Sequence, residues 1–161
     1  MRTVYWLFVV SVALFISGIA FIVAGARTTQ ASPVEVRVET TPVASIKQIM
    51  NAIVMPDAYV IYNAVGTKSS ATGVEEIAPK NDEEWAAVAN AAAAVIESGN
   101  LLLMGNRLLD KGDWIKMTRE FMKQATLALK AAEAKDTNGI VAAGGDLNTT
   151  CDNCHAKYQR Q

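Results

Sequence analysis

Two thiols and one imidazole lie side by side in Cys151-Asp152-Asn153-Cys154-His155, and they are the only cysteines and the only histidine of the chain. Cysteines three positions apart fall on neighbouring turns of one helix face. Several chemistries use such a pair. A redox-active dithiol of the thioredoxin kind needs a βαβ setting, and no such pattern surrounds this one. A structural zinc site takes four protein ligands, and the chain holds only three soft or imidazole donors. A disulfide between the two would close so small a loop that it would constrain the chain little. Cys-x-x-Cys-His is also the pattern of c-type haem attachment. Two thiols at this spacing can add to two vinyl groups along one edge of a haem, and the next residue's imidazole can then bind the iron. On this reading Cys151 and Cys154 hold one covalent haem c per chain and His155 is an iron ligand. With a single histidine, the sixth position belongs to methionine, to another group, or to none. Methionine opposite histidine favours electron transfer, whereas an open position admits small gases.

Such side chains need rigid elements to hold them, and from Pro42 onward the apolar spacing is helical. Thr41 can cap and Pro42 suits a first turn, followed on one face by Val43, Ile46, Ile49, Met50, Ile53 and Val54. Pro56 lacks a backbone donor, so the helix kinks or restarts there and runs on through Tyr59 and Tyr62 to Gly66. Residues 66–81 read as a loop by composition. Asn81 with Glu84 resembles a capping box and opens a second helix, roughly 82–106. Its run Ala91 to Ala94 reads as helix surface that a neighbour could approach closely. Lys111-Gly112-Asp113 makes a turn and cap. A third helix follows from Trp114 to Lys135, with Ile115, Met117, Phe121, Met122, Ala125 and Leu129 as inner positions. The Asp136 to Gly139 cluster breaks it. The last segment, roughly 139–159, carries the cysteines, and Gly144-Gly145 weakens its middle by about 1 kcal/mol per glycine. No strand-like alternation of useful length appears. Four helical segments with short links favour antiparallel neighbours, hence an all-α, up-down-up-down four-helix bundle.

A haem motif on the last of four helices resembles the class II c-type cytochromes, that is, cytochrome c′ and its low-spin relatives of the cytochrome c-556 type. The resemblance covers residues 43–160, and its strong part is Cys151 to Tyr158, where an aromatic follows the histidine by three. It implies the four-helix fold of that family. In the low-spin members a first-helix methionine reaches the iron, and in cytochrome c′ an apolar residue there gates the sixth site. Ser45 to Ala52 matches that region with Met50 at the ligand position. The resemblance thus implies Met50 as second axial ligand, against the plainer reading of an inward methionine as core filler. Met55 would point about 140° away on a regular helix. Met104, Met117 and Met122 read as packing. Pro56 and Gln159 depart from the family pattern, which keeps an unbroken first helix and often an Arg after the aromatic; here Arg160 is adjacent. Trp85, Trp114, Tyr59, Tyr62 and Phe121 are expected as core or haem-pocket wall, with Tyr158 packed nearby. Lys47, Lys157 and Arg160 could pair with haem propionates, the alternative being solvated surface.

Residues 4–26 carry no charge over 23 positions. As a helix they would reach about 35 Å, enough for a hydrocarbon core of about 30 Å. That length suits an uncleaved anchor better than a secretory signal, although Ala24-Gly25-Ala26 and Thr29-Gln30-Ala31 offer small-residue cleavage sites. The chain is expected to divide into a signal peptide or membrane anchor at 1–27, a polar linker at 28–42, and a haem-binding unit at 43–161. Either form of the N-terminal segment sends the rest across the membrane, to the periplasmic side in a bacterium, where haem attachment takes place in most such systems. The chain carries 15 basic and 16 acidic residues, a formal charge of −1. No basic field for nucleic acid is offered. The expected function is one-electron transfer between redox partner proteins, with the membrane as a partner through an uncleaved helix and a homodimer compatible with the fold. A gas-binding module with five-coordinate haem is the alternative, and a haem-free adaptor the third reading. No nucleophile–base or carboxylate pair stands out, so an enzyme is not expected.

Overall fold

The computed structural model describes the backbone of residues 2–28 and 40–159, with side chains for 2–22 and 40–159. The site Thr29-Gln30-Ala31, the linker up to residue 39, the side chains of Ala24-Gly25-Ala26, and Arg160 lie outside the described residues. The chain divides into two units, Met1–Glu39 and Thr40–Gln161. In the first, α1 (Arg2–Thr28) is a single helix, apolar on every side, whose described side chains are all exposed. It is long and apolar enough to cross a membrane, a property that spans and signal sequences share.

The second unit is mostly helical. Its first helical run opens at α2 (Ile46–Ile49), four residues later than Thr41 and Pro42 suggest. The Ser45 hydroxyl accepts the Gln48 N–H at 3.2 Å and the Gln48 side chain accepts the Ser45 N–H at 2.8 Å, a reciprocal capping box. Pro42 instead lies in the extended lead-in, against Gly105, whose φ of 56° suits a residue without a side chain. The run continues through a π-helix (Met50–Val54) into α3 (Met55–Ala64). Pro56 explains the wide turn. It has no N–H to give the Ala52 carbonyl, and the chain responds by bonding the Met55 N–H to the Met50 carbonyl. Pro56 then falls in the first turn of α3, where no donor is needed. The helical run therefore neither stops nor restarts, and the 140° offset between Met50 and Met55 does not apply.

Residues 66–81 are not a loop throughout. They contain an antiparallel hairpin of β1 (Gly66–Ser70) and β2 (Gly73–Ile77), with Lys68 opposite Glu75. Both strands are exposed along their length, so no apolar alternation betrays them. Ala71-Thr72 closes the hairpin and Gly73, at φ 140°, provides the left-handed backbone that follows.

Three long helices complete the unit: α4 (Asp82–Leu102), α5 (Asp113–Glu133) and α6 (Thr137–Tyr158). Asn81 caps α4 as expected, accepting the Glu84 N–H at 2.9 Å, while Glu84 accepts the Lys80 N–H at 2.7 Å. Asp136 caps α6 through the Gly139 N–H at 3.0 Å. Helix α4 packs on α3 and α5, and α6 packs on the same two. Ile49, Ile61, Ala92, Val95, Ala125 and Leu147 lie in the main core. Ala91 and Ala92 are buried, as expected of a helix face that a neighbour approaches closely. A second cluster joins Trp85, Val88, Ala131, Ala132 and Ile140.

Helices α4 and α5 approach closely at Gly99. A Cβ there would stand 2.3 Å from Met122 Cγ and 2.8 Å from its sulfur. Gly99→Val is therefore expected to destabilise the unit. Overpacking costs about 1–3 kcal/mol, and valine recovers only a fraction of the roughly 1 kcal/mol that leaving glycine gains in a helix. Urea denaturation of the two proteins checks the sign; a variant as stable as the parent would show that Met122 swings aside freely.

Candidate functional site

Along α6 the residues Ile140, Ala143, Gly144 and Leu147 are buried, and the same face continues through Cys151, Cys154 and Tyr158, each half-buried. Steps of three and four keep these positions on one stripe. Both cysteines pack on the main apolar cluster, and they are not joined to each other. His155, next on the helix, is half-buried. The stripe that is closed at Leu147 is thus partly open where the thiols stand. Ala44, Ile46, Met50, Leu101, Leu103 and Leu108 pack on the same cluster and are likewise only partly buried. The result is an apolar but incompletely covered end of the unit.

The electrostatics of the thiols speak to their chemistry. Burial pushes Cys151 up, with the Asp152 charge adding to it and the Tyr62 hydroxyl opposing. Burial also raises Cys154, with Cys151 contributing. Both stand in the last turns of a helix, at the negative end of its dipole, where a thiolate is disfavoured. Reactive dithiols depend on a lowered pKa, and both of these thiols are shifted the other way. Tyr62 of α3 stands beside Cys151; burial first, and then Cys151, drives its phenol above the ordinary range. The Tyr62 ring also lies over Gly144, where an added Cβ would be 3.6 Å from its Cδ1. Gly144 thus sits where the α3 aromatic meets α6.

The end of α6 is tied to the segment before α5. The Tyr158 hydroxyl donates to the Asp110 carboxylate. Asp110 also accepts the Gly112 N–H at 2.7 Å and the Trp114 N–H at 3.2 Å, satisfying first-turn donors of α5. The Trp114 ring meets the Tyr158 ring edge-on, with centroids 5.0 Å apart, and its Nε1 donates to the Leu102 carbonyl at 3.0 Å. Lys157 reaches Asp113 at 2.5 Å, an exposed pair of small energetic weight. These bonds, one turn beyond His155, fix the helix end that carries the imidazole.

The Tyr158 hydroxyl, and then the Gly112 N–H, hold the Asp110 carboxyl below its usual range. A depressed carboxylate adds stability that is present above its unfolded pKa of about 4. That stability is lost as pH falls through the lower folded value. Asp110→Asn is therefore expected to be less stable than the parent at neutral pH, with the gap closing on acidification below about pH 4. Thermal midpoints measured across that range test it, and curves that stay parallel would assign the acid loss elsewhere.

The structure brings Met50, Cys151 and Cys154 into one cluster, with Trp114 and Phe121 in its buried part and Tyr158 at its edge. Met55 is exposed. Tyr59 is exposed as well, so it is neither core nor pocket wall, and Trp85 belongs to the second cluster. Met122 packs on Gly99 as filler. Sequence reasoning missed Asp110, although an aspartate two residues before a glycine is a turn signal. It also missed the meeting of Tyr62 with Cys151, for which no local signal exists. No family model, no curated protein and no solved structure matches the chain.

Proposed function

We propose that this chain is a mono-haem c-type cytochrome, a one-electron carrier held on or released from the periplasmic face of a bacterial membrane. On this proposal α2–α3, α4, α5 and α6 form the up-down-up-down four-helix bundle of the class II cytochromes. One observation carries it: Cys151 and Cys154 continue the inward stripe of α6 into an incompletely covered apolar end, with His155 beside them.

The residues fit a haem by their donor chemistry. Two thiols stand one turn apart on one face, for two thioether bonds. The His155 imidazole follows directly on the last turns of α6, which Tyr158 and Asp110 hold in place. The Met50 thioether packs on the same cluster from the first helical run. Ile46, Leu101, Leu103 and Leu108 offer apolar wall, and their partial exposure suits a group that must exchange electrons across a surface. A bound haem would supply the one-electron iron couple, and the protein's part is to orient it and exclude most of the water. The apolar α1 agrees with export or anchoring.

The test is the full chain produced alongside haem-maturation machinery. The expected product is coloured, heavier than its polypeptide by one haem, and low-spin in its visible spectrum. A high-spin spectrum with ready carbon monoxide binding would replace the carrier by a gas-binding module. A colourless protein of polypeptide mass would leave only the haem-free adaptor.

A further inference from the structure

Arg107 is a buried cation that no described anion answers. It is 6 % exposed, in the segment between α4 and α5. Its Nε donates to the Ala44 carbonyl at 2.8 Å and an Nη to the Leu101 carbonyl at 3.2 Å. Both acceptors are neutral. Among the described residues no carboxylate forms an ion pair with it. A guanidinium carries five N–H donors, and two carbonyl bonds do not neutralise its charge. Removing an unpaired charge from water is among the costliest things a fold can do. If the only task were to tie the lead-in at Ala44 to the end of α4, a neutral donor would do it more cheaply.

Its position says which anion would answer it. Ala44, Leu101 and Leu108, which surround Arg107 in bonding or in sequence, all pack on the cluster that holds Cys151 and Cys154. Helix α4, which ends beside Arg107, and α6, which carries the cysteines, each pack on α3 and α5. Leu102, next to the Leu101 that Arg107 bonds, accepts from Trp114, whose ring meets Tyr158 one turn beyond Cys154, so Arg107 stands at the cysteine end. A haem bound through its vinyl edge presents its two propionate carboxylates at the opposite edge. Among the lysines that could play this part, Lys157 is committed to Asp113 and Lys47 is exposed.

We infer that Arg107 is the counter-ion of a haem propionate, an inference that rests on the cytochrome reading. Charge-assisted bonds from guanidinium to carboxylate are the strong ones. Burial alone would raise the propionate pKa, and a neighbouring Arg lowers it. The other charged groups at this end include Lys47 on α2, Glu97 on α4, Asp110 and Lys111 before α5, Asp113 on α5, and Asp152 and Lys157 on α6. Asn100 bonds Glu97, Tyr158 bonds Asp110, and Lys157 bonds Asp113. All are common to parent and variant.

The experiment is the midpoint potential of the haem-loaded full chain against pH, for the parent, Arg107→Gln and Arg107→Lys. The parent should be flat from about pH 5 to about pH 8, its propionate ionised throughout. Arg107→Gln should bring a break into that window, the propionate titrating at least about one pH unit higher. Arg107→Lys should restore most of the flatness, since it keeps the charge while losing the forked carbonyl contacts. If both variants lose stability yet superimpose on the parent, Arg107 is only a carbonyl clamp and the inference falls. Should Arg107→Gln fail to fold, the parent still decides. A propionate resonance that titrates between about pH 5 and pH 8 in its NMR spectrum overturns the pairing, and one that stays fixed supports it. A parent without covalent haem overturns both this inference and the cytochrome reading, whereas a haem-loaded parent with an unmoved profile overturns this inference alone.

Discussion

Alanine at both Cys151 and Cys154 is expected to yield a protein that carries no covalent haem and whose mass is that of its amino acids. The effect should be all or none, because no other thiol exists in the chain to take over. Loss of colour must be separated from loss of fold, and the positions allow it. Both side chains are half-buried and both lie within α6. Alanine is the best helix former, and removing two half-covered thiols costs about 1–2 kcal/mol. Far-ultraviolet circular dichroism should therefore stay that of the parent. Single replacements should each leave one linkage. Cys151→Ala carries the further effect of removing the neighbour of the Tyr62 hydroxyl. A haem-sized mass increment persisting in the double variant would refute the attachment.

The donor set of the candidate site was legible because it is local. Two cysteines and a histidine in five positions define a donor set whatever surrounds them, and the 3.6-residue period puts both thiols on one face. The helices were legible for a similar reason. Asn81 and Glu84 cap α4 by side chains three residues apart, and the apolar stripes of α5 and α6 repeat within single helices. Failures came where the deciding partner is distant or absent. The hairpin at Gly66–Ile77 has no buried face, so its strands are set by a short closure and cross-strand pairs such as Lys68 with Glu75, which leave no hydrophobic rhythm. Pro56 announces a disturbance but not its form. The choice of a wide turn over a kink depends on the Met50 carbonyl finding the Met55 N–H. The alanines of α4 announce a close neighbour but not which one; it is α5, with Ala125 and Ala128 fully buried. Arg107 was invisible altogether, since its acceptors Ala44 and Leu101 are backbone carbonyls, which any residue could provide.

Met50→Leu is expected to turn a low-spin haem into a high-spin one. Leucine has nearly the volume of methionine and keeps the packing on the cluster to within about 1.5 kcal/mol. It cannot donate a sulfur lone pair to iron. A ligand role and a filler role therefore separate cleanly: the filler reading leaves the spectrum unchanged, and the ligand reading abolishes it while the fold survives. Reduced Met50→Leu protein should then bind carbon monoxide, which the parent should resist. Loss of the thioether should also lower the midpoint potential by something on the order of 0.1 V, within the span of about 0.8 V that axial ligation covers. The wide turn at Met50–Val54 makes Met55 the natural control. It is five residues on and exposed, so Met55→Leu should change neither spectrum nor potential. The turn itself should be indifferent to both replacements, because the bond that defines it joins the backbone carbonyl of Met50 to the backbone N–H of Met55. A spectrum that changes with Met55→Leu and not with Met50→Leu would move the ligand to the other side of the turn. Spectra unmoved by either would leave the sixth position to a group outside this helical run.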